Sequence, residues 1–281
     1  MNNGFLTAIR TEFYVICRGT GLWLLISLPA LAVLVRLTLV KLTTISTALQ
    51  NSDGESANAL SGYGFMVDGM STGLMLLYLI FVAYAAYVFA IDRDSGVLRH
   101  LIIRRVSRRA LIAAKFVILS GLAFTSAAIV IAVAIFSSSF FWELGPVVED
   151  NYELIGVAEI HQEIYLGLKL ALLSLPACLS LGLLISVISG SATQAVSIAI
   201  GVSLVFDVFK NVFGDLANYF YATFQPSLID QSYLKDVAQI VRGFSDVLID
   251  ERVYQLNLWL PLPQALLFFV LTLFIVSRRQ L

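Results

Sequence analysis

The sequence predicts an all-α integral membrane protein with six transmembrane helices, an N-terminal amphipathic helix lying in the membrane interface, and both termini cytoplasmic. Three observations carry that expectation. Hydrophobic residues make up 59% of the 281 positions and charged residues only 13%, whereas a soluble domain keeps its surface wet with about 25% charged residues. Apolar stretches recur six times at about the 20 residues needed to cross ~30 Å of hydrocarbon. The basic residues between them gather on one side. The net charge of −1 says little about partners; its distribution says more.

Residues 3–18 open the chain. Phe5, Ile9 and Phe13 recur at i, i+4, with Arg10, Glu12 and Arg18 between them, which is the pattern of an interfacial helix. The other reading is that this segment simply begins the first span. Residues 21–40 form that span. Ala30-Leu31-Ala32 imitates a signal-peptide cleavage site, but the apolar run continues past it, so a retained helix is expected.

Residues 41–72 read as a polar loop, 73–91 as span two, 92–109 as a charged loop and 110–136 as span three. Residues 140–163 read as an acidic loop, 164–188 as span four with Pro176 inside it, and 195–212 as span five. A long loop, 214–255, precedes span six at 256–276; such a length is unusual for a plain connection. Within it Leu234, Val237, Ile240 and Val241 repeat at helical spacing over 232–248, giving an amphipathic helix that lies on the outer surface, gates the exit or lies on a partner. Small residues in and around spans three to five suit close helix packing in lipid. Cys17 and Cys178 read as small apolar fillers.

Orientation follows from charge. The N-terminus, the stretch between the second and third spans and the C-terminus hold Arg10, Arg18, seven basic residues from Arg93 to Lys115, and Arg278 with Arg279, against the acids Glu12, Asp92 and Asp94. The opposite loops hold only Lys41, Lys210, Lys235, Arg242 and Arg252 against 15 acids. The first group is therefore assigned to the cytoplasm and the protein to the cytoplasmic membrane. Arg36 and Lys169 are expected to snorkel toward the outer interface. Asp207 lies inside span five; it either pairs with Lys210 at i+3 or lines a translocation path.

Chemistry-bearing motifs are few. The sequence has neither a phosphate-cradling G-x-x-x-x-G-K-[ST] nor H-E-x-x-H. Glu159, His161 and Glu163 alternate before span four, where a solvated helix start is favoured over a cation site. The informative segment is the loop 92–109. Val97, Leu98, Leu101 and Ile102 form an apolar stripe, with Arg99, His100, Arg104 and Arg105 mostly off it. Such a stripe at the membrane boundary must bury itself in lipid headgroups or in a groove on a cytosolic partner. Ser107 reads as the N-cap of span three.

The order Arg93-x-x-Gly96-x-Leu98-x-x-Leu101, followed by Val106-Ser107-Arg108 and Lys115, resembles the cytoplasmic loop of ABC-2 type transporter permeases. The commoner form there is R-E-x-G-T-L-x-x-L, then Pro- or Val-Ser-Arg and a downstream Lys; this chain carries Asp94-Ser95 where Glu is usual. The interfacial helix, the six spans and the long loop before the last one extend the resemblance over nearly the whole chain. It implies a permease subunit that exports a substrate with energy from a separate ATPase. Two permease copies, expected as a homodimer, would work with two ATPase copies, and ATP and Mg would belong to the partner, with no cofactor in this chain. Expected ATPase-coupling residues are Asp94, Gly96, Leu98, Leu101, Arg104 and Arg105. Gly96 would allow a sharp entry to the loop helix, the leucines would fill a groove, and the arginines would meet acids on the ATPase or anionic lipid. No catalytic, metal-binding or nucleic-acid-binding role is expected. A membrane anchor that recruits cytosolic proteins and an ion-coupled carrier are the alternatives.

Overall fold

A computed structural model describes residues 2–19, 21–50, 62–96, 107–149, 152–242 and 251–278. Its elements are α1 (Asn2–Arg18), α2 (Gly21–Gln50), α3 (Gly62–Asp94), α4 (Arg108–Phe141), β1 (Val147–Glu149), β2 (Tyr152–Ile155), α5 (Val157–Leu173), α6 (Leu175–Ile188), α7 (Ala192–Phe213), α8 (Tyr233–Ile240), α9 (Glu251–Trp259) and α10 (Pro261–Arg278). Two 3-10 turns, Gly214–Tyr219 and Tyr221–Thr223, follow α7. Among the described residues, six helical stretches are long and apolar enough to cross a membrane: Gly21–Ser46, Gly62–Asp94, Arg108–Phe141, Val157–Ile188, Ala192–Tyr219 and Glu251–Arg278. The all-α class and the six crossings therefore stand, joined by one short antiparallel hairpin, β1–β2.

The helices are longer than hydropathy alone suggested. Much of 41–72, read as loop, is helical, because α2 runs on to Gln50 and α3 begins at Gly62. The Gly- and Ser-rich start of α3 is buried, and its Gly64 and Gly69 lie against the side chains of Arg242 and Leu37. Glycine here admits neighbours rather than breaking the helix. Span four is interrupted instead: α5 ends and α6 begins at Ser174, with Pro176 in the first turn of α6. Proline supplies no N–H to the preceding turn. Beside this break the fully buried Tyr78 of α3 donates its hydroxyl hydrogen to the Ala171 carbonyl and lies 2.8 Å from Ser174 Oγ.

α3 is the central post. Leu74, Leu77, Phe81, Ala85 and Ala86 are all fully buried, and α6 packs directly on them. A Cβ on Gly182 would sit 2.7 Å from both the Ala85 Cβ and the Val82 carbonyl oxygen, so this approach needs glycine. Burial ranks the crossings: 56% of the most apolar part of α3 and 67% of that of α5–α6 are buried, against 22%, 17% and 22% for the stretches containing α2, α7 and α10. The first, fifth and sixth crossings thus form the rim, exposing residues such as Trp23, Val212 and Leu266.

The two ends of the bundle differ. At one, α1 packs on α4, and Phe89, Leu111, Ile112, Val187 and Val276 gather the ends of α3, α4, α6 and α10 into a small apolar cluster. The other end carries the hairpin and α8. There Lys41 Nζ caps the Phe141 carbonyl at 2.7 Å, Phe65 stacks on Trp142, and Arg242 pairs with Asp68.

Candidate functional site

At the α1 end, one ammonium organises three helices. Lys115, on α4, is 2% exposed, and its Nζ lies 2.8 Å from Glu12 Oε2 on α1 and 2.6 Å from Asp92 Oδ2 at the end of α3. α1 reaches it because Ala8, Glu12 and Ile16, spaced by four, form the buried face of that helix, while Phe13, Tyr14 and Val15 are exposed. Burial pushes the Glu12 carboxyl above its ordinary range and the charge of Asp92 adds to this, while Lys115 pulls it back by charge and hydrogen bond. Two carboxylates sharing one buried ammonium hold α1, α3 and α4 as a unit.

The adjoining residues extend that unit to α7. Asp94 Oδ2 accepts the Ala192 backbone N–H at 2.6 Å, capping the first turn of α7, and its Oδ1 lies 3.6 Å from Arg93 Nε. The two terminal nitrogens of Arg93 are buried without a hydrogen-bond partner among the described residues. Ser95 Oγ donates to the Ile91 carbonyl, and Gly96 ends the segment at φ +73. That left-handed turn favours glycine. On the far side of the loop Ser107 caps α4, accepting the Ala110 N–H at 3.2 Å, as its sequence position predicts. Among the expected coupling residues, Asp94 and Gly96 thus sit at the loop entrance, beside the Lys115 junction. Leu98, Leu101, Arg104 and Arg105 lie outside the described residues.

Asp207 is elsewhere, in α7 toward the hairpin end. It is 7% exposed and pairs with Lys210 at 2.9 Å, the i, i+3 contact read from the sequence. Its oxygens also accept the Leu228 and Ile229 N–H groups at 2.8 and 3.3 Å, while Lys210 Nζ donates to Ser227 Oγ. The pair therefore pins the 227–229 segment onto α7. It also borders a small cavity of about 80 Å³, shared with Tyr78, Cys178 and Gln225.

A larger recess of about 730 Å³ opens at the hairpin end between Arg36, Asp68, Asp230 and Lys235. Burial pushes the Asp230 carboxyl upward, against the hydrogen bonds that it accepts from Ser232 and Ser71. The Glu159, His161 and Glu163 run does not converge. Glu159 faces the Gly156 N–H, His161 meets the Tyr63 hydroxyl, and Glu163 accepts from Tyr233.

Sequence reading gave no partner to Lys115, counted Glu12 and Asp92 only as charges, and used Arg93 only as a motif position. A signal was available. A lysine inside a span requires an anion, and the basic side of the chain holds only three acids.

Residues 8–210 match a family described as ABC-2 family transporter protein. No curated protein and no solved structure matches. The matched region runs from the buried face of α1 through the Lys115 junction to the Asp207–Lys210 pair.

Proposed function

This chain belongs to the ABC-2 family and is a membrane permease of an ABC transporter, and we propose that it forms the translocation pathway for ATP-driven export, coupled through the loop 92–109 to a separate ATPase. In this reading Asp94, Gly96, Leu98, Leu101, Arg104 and Arg105 form the contact with the ATPase. The working unit is two copies of the chain and two ATPase copies, with ATP and Mg held by the ATPase. The chain sits in the cytoplasmic membrane with the α1 end facing the cytosol, as the excess of basic residues at that end supports.

The observation that carries the coupling reading is the Lys115 junction. A loop pressed by a partner moves the helix ends that flank it, here α3 and α4. Asp92 and Lys115 tie those ends to each other and to α1 through Glu12, and Asp94 ties the end of α3 to α7. Displacement of the loop is thus passed to four helices by short charged contacts instead of dissipating at flexible ends. The permease supplies two conformations with different partner affinities, and the partner's nucleotide cycle selects between them.

Purification of the intact complex in mild detergent tests this reading. The wild-type chain should bring down a soluble subunit carrying the phosphate-binding loop, and Leu98→Asp with Leu101→Asp should abolish permease-stimulated ATP hydrolysis while leaving membrane insertion intact. Recovery of no ATPase favours the anchor reading. Unchanged stimulation and transport in the double variant removes the loop from the mechanism.

A further inference from the structure

We propose that the groove between α4, α5 and α10 is a binding site for one anionic phospholipid, with Lys169 holding the headgroup phosphate. The groove encloses about 490 Å³, and its lining includes Phe124 of α4, Tyr165, Lys169 and Leu172 of α5, Pro176 of α6 and Leu262 of α10. Lys169 is its single charged lining residue; every other lining residue is apolar or the phenol of Tyr165. Lys169 is exposed and forms no ion pair with any described residue. A lone ammonium on an apolar wall within a membrane-spanning helix needs an anion to meet it.

Depth fits a lipid. α3 and α4 are 33 and 34 residues long, about 50 Å of helix against ~30 Å of hydrocarbon, so their ends project beyond it. Tyr165 and Lys169 lie on one face of α5, eight and 12 residues in from Val157, or roughly 12–18 Å below its start. With roughly 10 Å of helix projecting at each end, Tyr165 falls near the hydrocarbon boundary and Lys169 about 8 Å inside it. From there the lysine stem reaches back toward the headgroups, as lysine and tyrosine side chains do at this level. From Lys169 the same wall continues through Leu172 to Pro176 and across to Phe124, an apolar surface for an acyl chain.

The break at Ser174 lies along this wall: α5 ends before it, α6 restarts at Leu175, and Pro176 in the first turn of α6 lines the groove. A second copy of the chain fits less well. A two-fold contact sets a patch against itself, which here would bring two lysines together with no acid in the lining.

Native mass spectrometry of delipidated permease, reloaded with equal amounts of phosphatidylglycerol and phosphatidylcholine of matched chains, tests the assignment. Wild type should retain one phosphatidylglycerol in preference. Lys169→Gln should lower that retention about fivefold, the worth of one lysine near an anionic headgroup, and Lys169→Arg should restore it. A phosphatidylglycerol carrying a photoreactive acyl chain should label peptides containing Phe124, Leu172 or Leu262. Equal retention of the two lipids, an unaffected Lys169→Gln variant, labelling confined to other faces, or cross-links through the groove between two copies would each overturn the proposal. None of these readings depends on transport, so a failure here is separate from a failure of the coupling account.

Discussion

At the residue scale, Lys115 is the side chain whose loss leaves two acids, Glu12 and Asp92, without their shared cation. Lys115→Met leaves Glu12 and Asp92 facing one another without a cation, and breaking a buried pair in this way costs about 3–5 kcal/mol. The expected outcome is a large fall in the thermal midpoint of the purified permease together with protease access to α1. Glu12→Gln should be milder, because Asp92 still pairs with Lys115; burial raises the Glu12 carboxyl above its ordinary range. The sign for pH follows. The folded state takes up this proton at a higher pH than the unfolded chain does, so the contribution is fully present below the ordinary glutamate value. It is lost as pH rises through the raised native value. Thermal midpoints measured across that window should rise as pH falls for wild type, by more than they do for Glu12→Gln. Ser107→Ala removes the cap of α4 and should cost about 1 kcal/mol, read by the same measurement.

At the element scale, the ends of helices carry the charged contacts. α3 ends in Asp92 and Asp94, one bound to Lys115 and the other to the first turn of α7. At the hairpin end the Asp207–Lys210 pair pins the 227–229 segment to α7. Asp207→Asn leaves Lys210 buried without its anion and should destabilise that end by about 3 kcal/mol, raising hydrogen exchange at Leu228 and Ile229. Exchange at α1 should stay unchanged. Sequence legibility divides along the same line. The six crossings are readable because lipid accepts only long apolar helices. The start of α3 is not, because Gly64 and Gly69 imitate a loop while serving as contact points for Arg242 and Leu37. The i, i+3 partner of Asp207 is local and therefore visible in sequence. Glu12 and Lys115 are 103 positions apart, and only the folded bundle shows that they meet. Tyr78 was invisible for the same reason, since its role at the Ser174 break depends on a helix almost a hundred positions away.

At the scale of the whole molecule, the bundle has a buried post, a partly lipid-facing rim and two unlike ends. The α1 end is basic and tied together by ion pairs, and the hairpin end is acidic and carries the open recess lined by Arg36 and Asp230. Orientation is tested by cysteine accessibility. Ser245→Cys should react with an impermeant thiol reagent from outside intact cells, Arg104→Cys only after the inner face is opened, and the reverse pattern would invert the topology. The central claim is that the loop 92–109 seats in an ATPase and that the Lys115 junction passes its movement on. Its most direct measurement is a photocrosslinker placed at Leu101 in the otherwise wild-type chain, with the adduct identified after irradiation of native membranes. The account predicts a crosslink to a subunit bearing a nucleotide-binding phosphate loop, with a yield that changes when ATP is bound. A probe that labels only lipid, or labels no nucleotide-binding subunit with or without ATP, would contradict it.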